Sequence, residues 1–235
     1  MSLFERSEKL FGKDGIEKLR NSSVIVFGAG GVGSVCLEFL ARSGVGRIGV
    51  VDGDFVSDSN RNRQIIALSS TVGQRKAYVE AERIKDINPD CRVDIYDMFY
   101  GKDNFLDVPL DEYMYIADCI DTVTSKILLI TQAKEKNINI ISSMGTGNRL
   151  DPSEVTVKDV YETSNCPLAK VMRRELRARG IESLKTVCSD EKPCEVLLGR
   201  DENGRSVQSS ACFVPAAAGI RIAYEIVKEI ISCQK

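Results

Sequence analysis

The sequence predicts an α/β fold, a Rossmann-like doubly wound sheet that is mostly parallel, on three observations. Short apolar runs alternate with amphipathic helical stretches from Val24 to Ser142, the pattern that builds a parallel sheet covered on both faces. The first run is followed by Gly28, Gly30 and Gly33 in the spacing G-x-G-x-x-G. The second run ends in a solitary acid, Asp52, roughly 20 residues past the glycine loop, where a carboxylate can accept hydrogen bonds from a ribose.

In chain order, Phe4-Glu5-Arg6-Ser7-Glu8-Lys9-Leu10-Phe11-Gly12 forms an arm, and an amphipathic helix is expected around Gly15 to Leu19. Such an arm packs on a neighbour or on the sheet edge. Val24 to Phe27 is the first strand. In the loop Gly28-Ala29-Gly30-Gly31-Val32-Gly33 the first glycine permits a tight turn, the second lets backbone approach a phosphate, and the last lets helix and strand pack closely. The helix that follows directs its free N–H groups and positive dipole end at the same place, which suits an anion. Ile48 to Val51 is the second strand. The polar stretch after it, Gly53-Asp54-Phe55-Val56-Ser57-Asp58-Ser59-Asn60-Arg61-Asn62-Arg63-Gln64, places its donors toward the ligand crevice.

The next helix is expected from Arg75 to Asn88 on the stripe Ala77, Ala81, Ile84 and Ile87. Lys76 falls in its first turn, where the macrodipole opposes a cation; a nearby anion or a tolerant surface would each accommodate it. Arg92 to Tyr96 and Tyr113 to Ile120 are further strands, the latter ending at Asp121. Lys126 to Lys136 is the following helix and Ile138 to Ser142 the fifth strand. In such a sheet ligands bind beyond the carboxyl ends of the strands, where strand order reverses. Asp121 alone reads as a helix N-cap; beside a glycine loop, a lysine and an arginine, it suits the magnesium of a triphosphate. ATP is therefore preferred to NAD.

With 235 residues, 43% hydrophobic and 28% charged, the chain is long enough for one sizeable core and is expected to form a single domain over 1–235. Within it, 1–22 is the arm and first helix, 23–145 the nucleotide-binding half, and 146–235 the substrate-binding and dimer half. No apolar run is long enough to span a bilayer, so no membrane association is expected. The N-terminal residues lack the apolar segment of a leader, which points to the cytoplasm. Eight cysteines occur without a C-x-x-C pair, which suits reduced thiols and disfavours a four-cysteine zinc site. There is no histidine, which removes Ser-His-Asp and Cys-His nucleophile chemistry.

Together, Gly28-Ala29-Gly30-Gly31-Val32-Gly33, Asp52, Asn60-Arg61-Asn62-Arg63-Gln64, Val72-Gly73-Gln74-Arg75-Lys76 and Asp118-Cys119-Ile120-Asp121 resemble the adenylating domain of the ubiquitin-activating, ThiF, MoeB and HesA superfamily. The resemblance implies that Asp52 holds the ribose, that Asn60, Arg63 and Lys76 hold phosphates, that Gln64 supports the loop, and that Asp121 binds Mg2+. Asp54 belongs to the same implied site. It also implies a homodimer in which Arg6 reaches the ATP of the neighbouring subunit. Further stretches, Ile141-Ser142-Ser143-Met144-Gly145, Leu150-Asp151-Pro152, Cys166 to Arg174, Cys188-Ser189-Asp190-Glu191 and Phe213 to Gly219, resemble the branch that dehydrates threonylcarbamoyladenosine in tRNA. Two departures fall on Asp190 to Ser210, compact for that branch, and on Gly145-Thr146-Gly147.

A formal net charge of −2 and a pI near 5.5 give no overall basic footprint for RNA. Locally, Lys170, Arg173, Arg174, Arg177 and Arg179 crowd one helix with a single acid, Glu175. A solvated face and an RNA contact are equal readings of that helix from its residues; the resemblance favours tRNA for Lys170, Arg173, Arg174 and Arg177. The final helix, Phe213 to Cys233, is a core or dimer-interface helix. The alternative activity is adenylation of a ubiquitin-like or sulfur-carrier protein, with Cys188 or Cys212 as carrier thiol and a sulfur-transfer protein as partner.

Overall fold

The computed structural model describes residues 3–194 and 209–232. Its main elements are α1 (Glu5–Arg20), β1 (Ser23–Phe27), α2 (Gly33–Ser43), β2 (Arg47–Val51), α3 (Lys76–Ile87), β3 (Arg92–Tyr96), β4 (Tyr115–Asp118), α4 (Val123–Glu135), β5 (Asn139–Ser143), β6 (Val155–Asp159), α5 (Pro167–Arg177), β7 (Lys185–Ser189) and α6 (Phe213–Ser232). The strands form one sheet in the order β3-β2-β1-β4-β5-β7-β6. All pairings are parallel except β6 with β7. Among the described residues no helix is long and apolar enough to cross a membrane.

Alternation along β1 shows why both faces of the sheet are covered. Val24 and Val26 join a core with Leu19 of α1, Leu37 and Leu40 of α2, Ile84 of α3 and Ile222 and Ile226 of α6. Ile25 and Phe27 point the other way, into a core with Leu129 and Ile130 of α4 and Met172 and Leu176 of α5. Each such side chain removed from water contributes roughly 1.5–3 kcal/mol. Strand order reverses between β1 and β4, so the carboxyl ends of these neighbours, Phe27 and Asp118, open the crevice.

Several boundaries differ from expectation. The first helix is longer than the amphipathic signal and bends at Gly12, whose φ is 75° and ψ 166°. β4 stops at Asp118 rather than Ile120, because the chain turns at Cys119 to pass the glycine loop, with the Cys119 N–H donating to Phe27 O at 2.8 Å. α4 begins at Val123, one turn earlier than expected. β6 and β7 were not predicted, and they extend the sheet by one parallel and one antiparallel edge strand. Beyond β7, Asn148 gathers two distant segments: its carbonyl accepts from the Cys194 N–H at 2.7 Å, its N–H donates to Ser209 O at 2.8 Å, and its Oδ1 accepts from the Ser209 N–H at 2.7 Å.

Candidate nucleotide-binding site

The site is built where β1 and β2 end. Gly28 follows β1 with a φ of 88°, a region that disfavours side chains, and a β-carbon there would lie 2.8 Å from the Cys119 carbonyl oxygen. A β-carbon at Gly33 would land on the carbonyl oxygen of Gly28, so the helix starts directly against the turn. Neither a side-chain cap nor an acid occupies the first turn of α2. The Ser34 N–H donates to Gly30 O at 3.0 Å, and the helix end still turns its positive dipole end, with no competing acid, toward the place where a phosphate would lie.

Asp52 is half-buried just beyond β2. Its carboxylate accepts the Ala29 N–H at 2.7 Å on one oxygen and the Asp54 N–H at 2.8 Å on the other. These bonds tie the acid to the glycine loop, and each oxygen retains a lone pair for a ribose hydroxyl.

The loop after Asp52 folds back over the glycines. Gln64 is buried, and its Nε2 would lie 3.9 Å from a β-carbon on Gly30. Half-buried Arg63 has its Cγ 3.5 Å from the corresponding point on Gly31, while its guanidinium donates to Ser59 O and Asn62 Oδ1, both at 2.9 Å. Asn60 is buried and caps this turn, accepting the Ser57 N–H at 3.1 Å. Lys76 does not project freely from the first turn of α3. It is buried, with its ammonium 3.0 Å from the exposed Asp54 carboxylate, which offsets the unfavourable dipole. Asp121 is exposed after β4, and its carboxylate accepts the Thr122 hydroxyl at 3.4 Å.

Arg6 is the second residue of α1. Phe4 packs against Gly44, its ring 3.4 Å from a β-carbon built there. Gly44 caps the far end of the 11-residue helix α2, about 16 Å from the glycine loop along the helix axis.

The basic helix α5 has two kinds of arginine. Arg174 is exposed and paired with Glu175 at 2.8 Å, and Arg177 lies over the Tyr161 ring at 4.8 Å. Lys170 is exposed. Arg173 instead turns inward, donating to Thr163 O at 2.9 Å and to Thr163 Oγ1 at 2.5 Å. Of the stretch Asp190 to Ser210, which departs from the branch, residues 195–208 lie outside the described residues.

Thiol chemistry finds little support. Cys188 is buried and burial pushes its thiol up. Burial likewise pushes Cys119 up to about 12, helped by the Asp118 charge and opposed by Lys126. Cys212 is exposed, and with no histidine in the chain, imidazole cannot activate it.

Residues missed from the sequence include a buried ion pair, Asp118 with Lys126 at 2.7 Å. The signal was present: Lys126 falls on the same helical stripe as Ile130 and Ala133, a place for apolar residues. Arg149 is a second case. Its buried guanidinium donates to the carbonyls of Gly145, Gly147, Asn165 and Glu191, at 2.7, 3.3, 2.7 and 3.3 Å. It gathers the loops beyond β5 and β7.

The ThiF family model matches residues 4–234. The chain is 42% identical to tRNA threonylcarbamoyladenosine dehydratase of Bacillus subtilis (strain 168), over 97% of this chain and 94% of the relative. It is 39% identical to the Escherichia coli (strain K12) protein of the same name, over 74% of this chain and 65% of the relative. The crystal structure of E. coli tRNA N6-threonylcarbamoyladenosine dehydratase in complex with AMP superposes with a TM-score of 0.89 at 32% identity, covering 97% of this chain and 93% of that one. The same protein in complex with ATP gives a TM-score of 0.86 at 32% identity, with the same coverages. With a family model spanning nearly its whole length and relatives this similar, the chain belongs to the ThiF family.

Proposed function

We propose that this protein is an ATP-dependent tRNA threonylcarbamoyladenosine dehydratase. The observation that carries the reading is the crevice itself: an uncapped helix N-terminus behind Gly28 and Gly33, a ribose acid at Asp52, and Arg63, Gln64 and Lys76 around the loop. The ATP and AMP complexes of the E. coli relative support a nucleotide in this position. ATP lies with its phosphates on the loop spanning Gly28, Ala29, Gly30, Gly31 and Gly33. Asp52 holds its ribose, Asn60, Arg63 and Lys76 face its phosphates, Gln64 supports the loop, and Asp54 sets the position of Lys76.

The threonyl carboxylate of the modified adenosine attacks the α-phosphate, the bond to the β-phosphate breaks, and pyrophosphate leaves. The carbamoyl group of the same nucleotide then attacks the activated acyl carbon; AMP departs and a ring closes, with net loss of water. Arg63 and Lys76 stabilise charge that builds on the phosphates, which is catalysis by fixed electrostatics and needs no histidine. Among the described residues no group of three or more His, Cys, Asp or Glu side chains forms a protein-only metal cage. The exposed Asp121 carboxylate fits the other mode, in which Mg2+ takes one acid and the triphosphate oxygens, and there it would screen phosphate charge. A homodimer completes the site, with Arg6 contributed by the neighbouring subunit. Lys170, Arg174 and Arg177 supply phosphate contacts to the tRNA, and Arg173 braces their helix from within.

The test is AMP release from ATP with magnesium, compared for tRNA bearing threonylcarbamoyladenosine, the same tRNA unmodified, and small carrier proteins. Release that requires the modified tRNA is expected. Release driven by a carrier protein would favour the alternative, in which a ubiquitin-like C-terminus is adenylated.

A further inference from the structure

We propose that the buried pair Asp118 and Lys126 is a clasp that positions Asp121 for nucleotide binding, an inference that rests on the ATP reading above. Both side chains have zero exposure. The three ammonium donors of Lys126 meet three acceptors: Asp118 Oδ2 at 2.7 Å, Ser142 Oγ at 3.0 Å and Ser143 O at 2.9 Å. The Ser142 hydroxyl donates in turn to Asp118 Oδ2 at 2.6 Å, and Asp118 Oδ1 accepts the Ile120 N–H at 3.2 Å. The network has a specific place in the chain. Asp118 is the last residue of β4 and Lys126 lies in the first turn of α4. The pair therefore closes the two ends of the turn 119–122, and the exposed carboxylate on that turn is Asp121.

Stability alone is a poor reason for this arrangement. Removing two charges from water offsets most or all of their attraction, so an apolar pair of similar size often holds a core as well. A cation in the first turn of a helix is further opposed by the dipole. What charge-assisted bonds add is direction. The Asp118 side chain grips Ile120 within the turn, Lys126 ties it to the end of β5, and the Cys119 carbonyl abuts Gly28. The carboxylate of Asp121 is thereby held at a set place relative to the phosphate loop. Asp118 and Lys126 are positioning residues, since neither side chain has surface with which to touch a ligand.

Calorimetric titration of the full chain with ATP plus magnesium, and with ATP plus a chelator, separates this role from a structural one. The variants are Asp121→Asn, the triple Asp118→Leu, Lys126→Met, Ser142→Ala, and the combination of all four, each also melted. Asp121→Asn and the triple are each expected to reduce the magnesium-dependent gain in ATP affinity by about tenfold, the scale typical of groups that orient metal ligands. The metal-free affinity and the melting temperature are expected to stay near wild type. The combination should lose no more than Asp121→Asn alone, because both changes act through one carboxylate. A triple variant that keeps the magnesium gain, or losses that add, would overturn the clasp. If the triple does not fold, Ser142→Ala takes its place in the same cycle: a partial loss that vanishes in the Asp121→Asn background supports the clasp, and no loss overturns it. Wild-type protein that binds no ATP at all would overturn the nucleotide reading and the clasp together.

Discussion

A carboxyl group enclosed by protein with nothing to hydrogen-bond favours its protonated form, and Glu80 on α3 is such a group. It has zero exposure, and neither carboxylate oxygen has a hydrogen-bond partner. Burial pushes its pKa well above the ordinary range; Arg83 opposes this, while the charges of Glu38 and Asp52 add to it. Because the folded form binds this proton more tightly than the unfolded chain, the group adds nothing against folding at low pH. Its penalty grows as pH rises above the ordinary glutamate range, at up to about 1.4 kcal/mol per pH unit, until the folded-state pKa is reached. Glu80→Gln is therefore expected to be more stable than wild type at neutral pH, with a gap that narrows toward pH 4. Melting curves across that range check it, and a gap of constant size would mean that the carboxyl does not titrate. Glu80 and Lys126 share a lesson about legibility. Each occupies a buried stripe, beside Ala77 and Ile84 in one case and Ile130 in the other, and helical periodicity could have marked them as unusual. The contact between Lys76 and Asp54, by contrast, spans 22 residues of sequence. No local pattern encodes it.

At the scale of elements, α5 combines a clear start with a divided surface. Pro167 opens it, the Cys166 sulfur caps the Ala169 N–H at 3.4 Å, and Ala169, Met172 and Leu176 face the core. Lys170, Arg174 and Arg177 fall on one outward stripe, and this is where tRNA phosphates would lie. Each lost phosphate contact should reduce the slope of log affinity against log salt by roughly 1. A Lys170→Ala, Arg174→Ala double variant is expected to bind tRNA more weakly with a shallower slope and unchanged ATP affinity. Arg173→Ala should instead lower the melting temperature, by on the order of 1–3 kcal/mol of stability, because it removes the charged donor to Thr163. Equal slopes for wild type and the double variant would place the RNA elsewhere. The basic cluster was readable from the sequence, but its inward member was not, since the partner that turns Arg173 lies ten residues before it in a loop. β6 and β7 escaped notice because neither carries an apolar run: partly exposed β6 ends in Lys158 and Asp159, and β7 sets Val187 and Cys188 among Lys185, Thr186 and Ser189. The five parallel strands β1 to β5 were legible because their apolar residues are covered on both faces or end at glycines and acids.

For the molecule as a whole, the position of the arm has a consequence for catalysis. Phe4, two residues before Arg6, packs at the end of α2 remote from its own glycine loop, so the arm is anchored away from that crevice and a role for Arg6 at a nucleotide of a second subunit can be tested by mixing subunits. Arg6→Ala and Lys76→Ala are each expected to be nearly inactive alone. Mixed and allowed to exchange subunits, they should recover about a quarter of wild-type activity, because half of the protein becomes mixed dimers with one intact site. No recovery in mixtures shown by mass to contain mixed dimers would exclude a shared site. Asn148 has a different bearing on the whole. It accepts the Cys194 N–H on its carbonyl and holds the Ser209 backbone with its own N–H and Oδ1, so Cys194 and Ser209 are gathered at a single residue. With Cys194 and Ser209 both fixed at Asn148, the entropic penalty for length added between them grows slowly, by only about 0.6 kcal/mol for each doubling. Between these two fixed points evolution can lengthen or shorten the polypeptide, and an engineer could insert a reporter, while Asn148 keeps its hold on both.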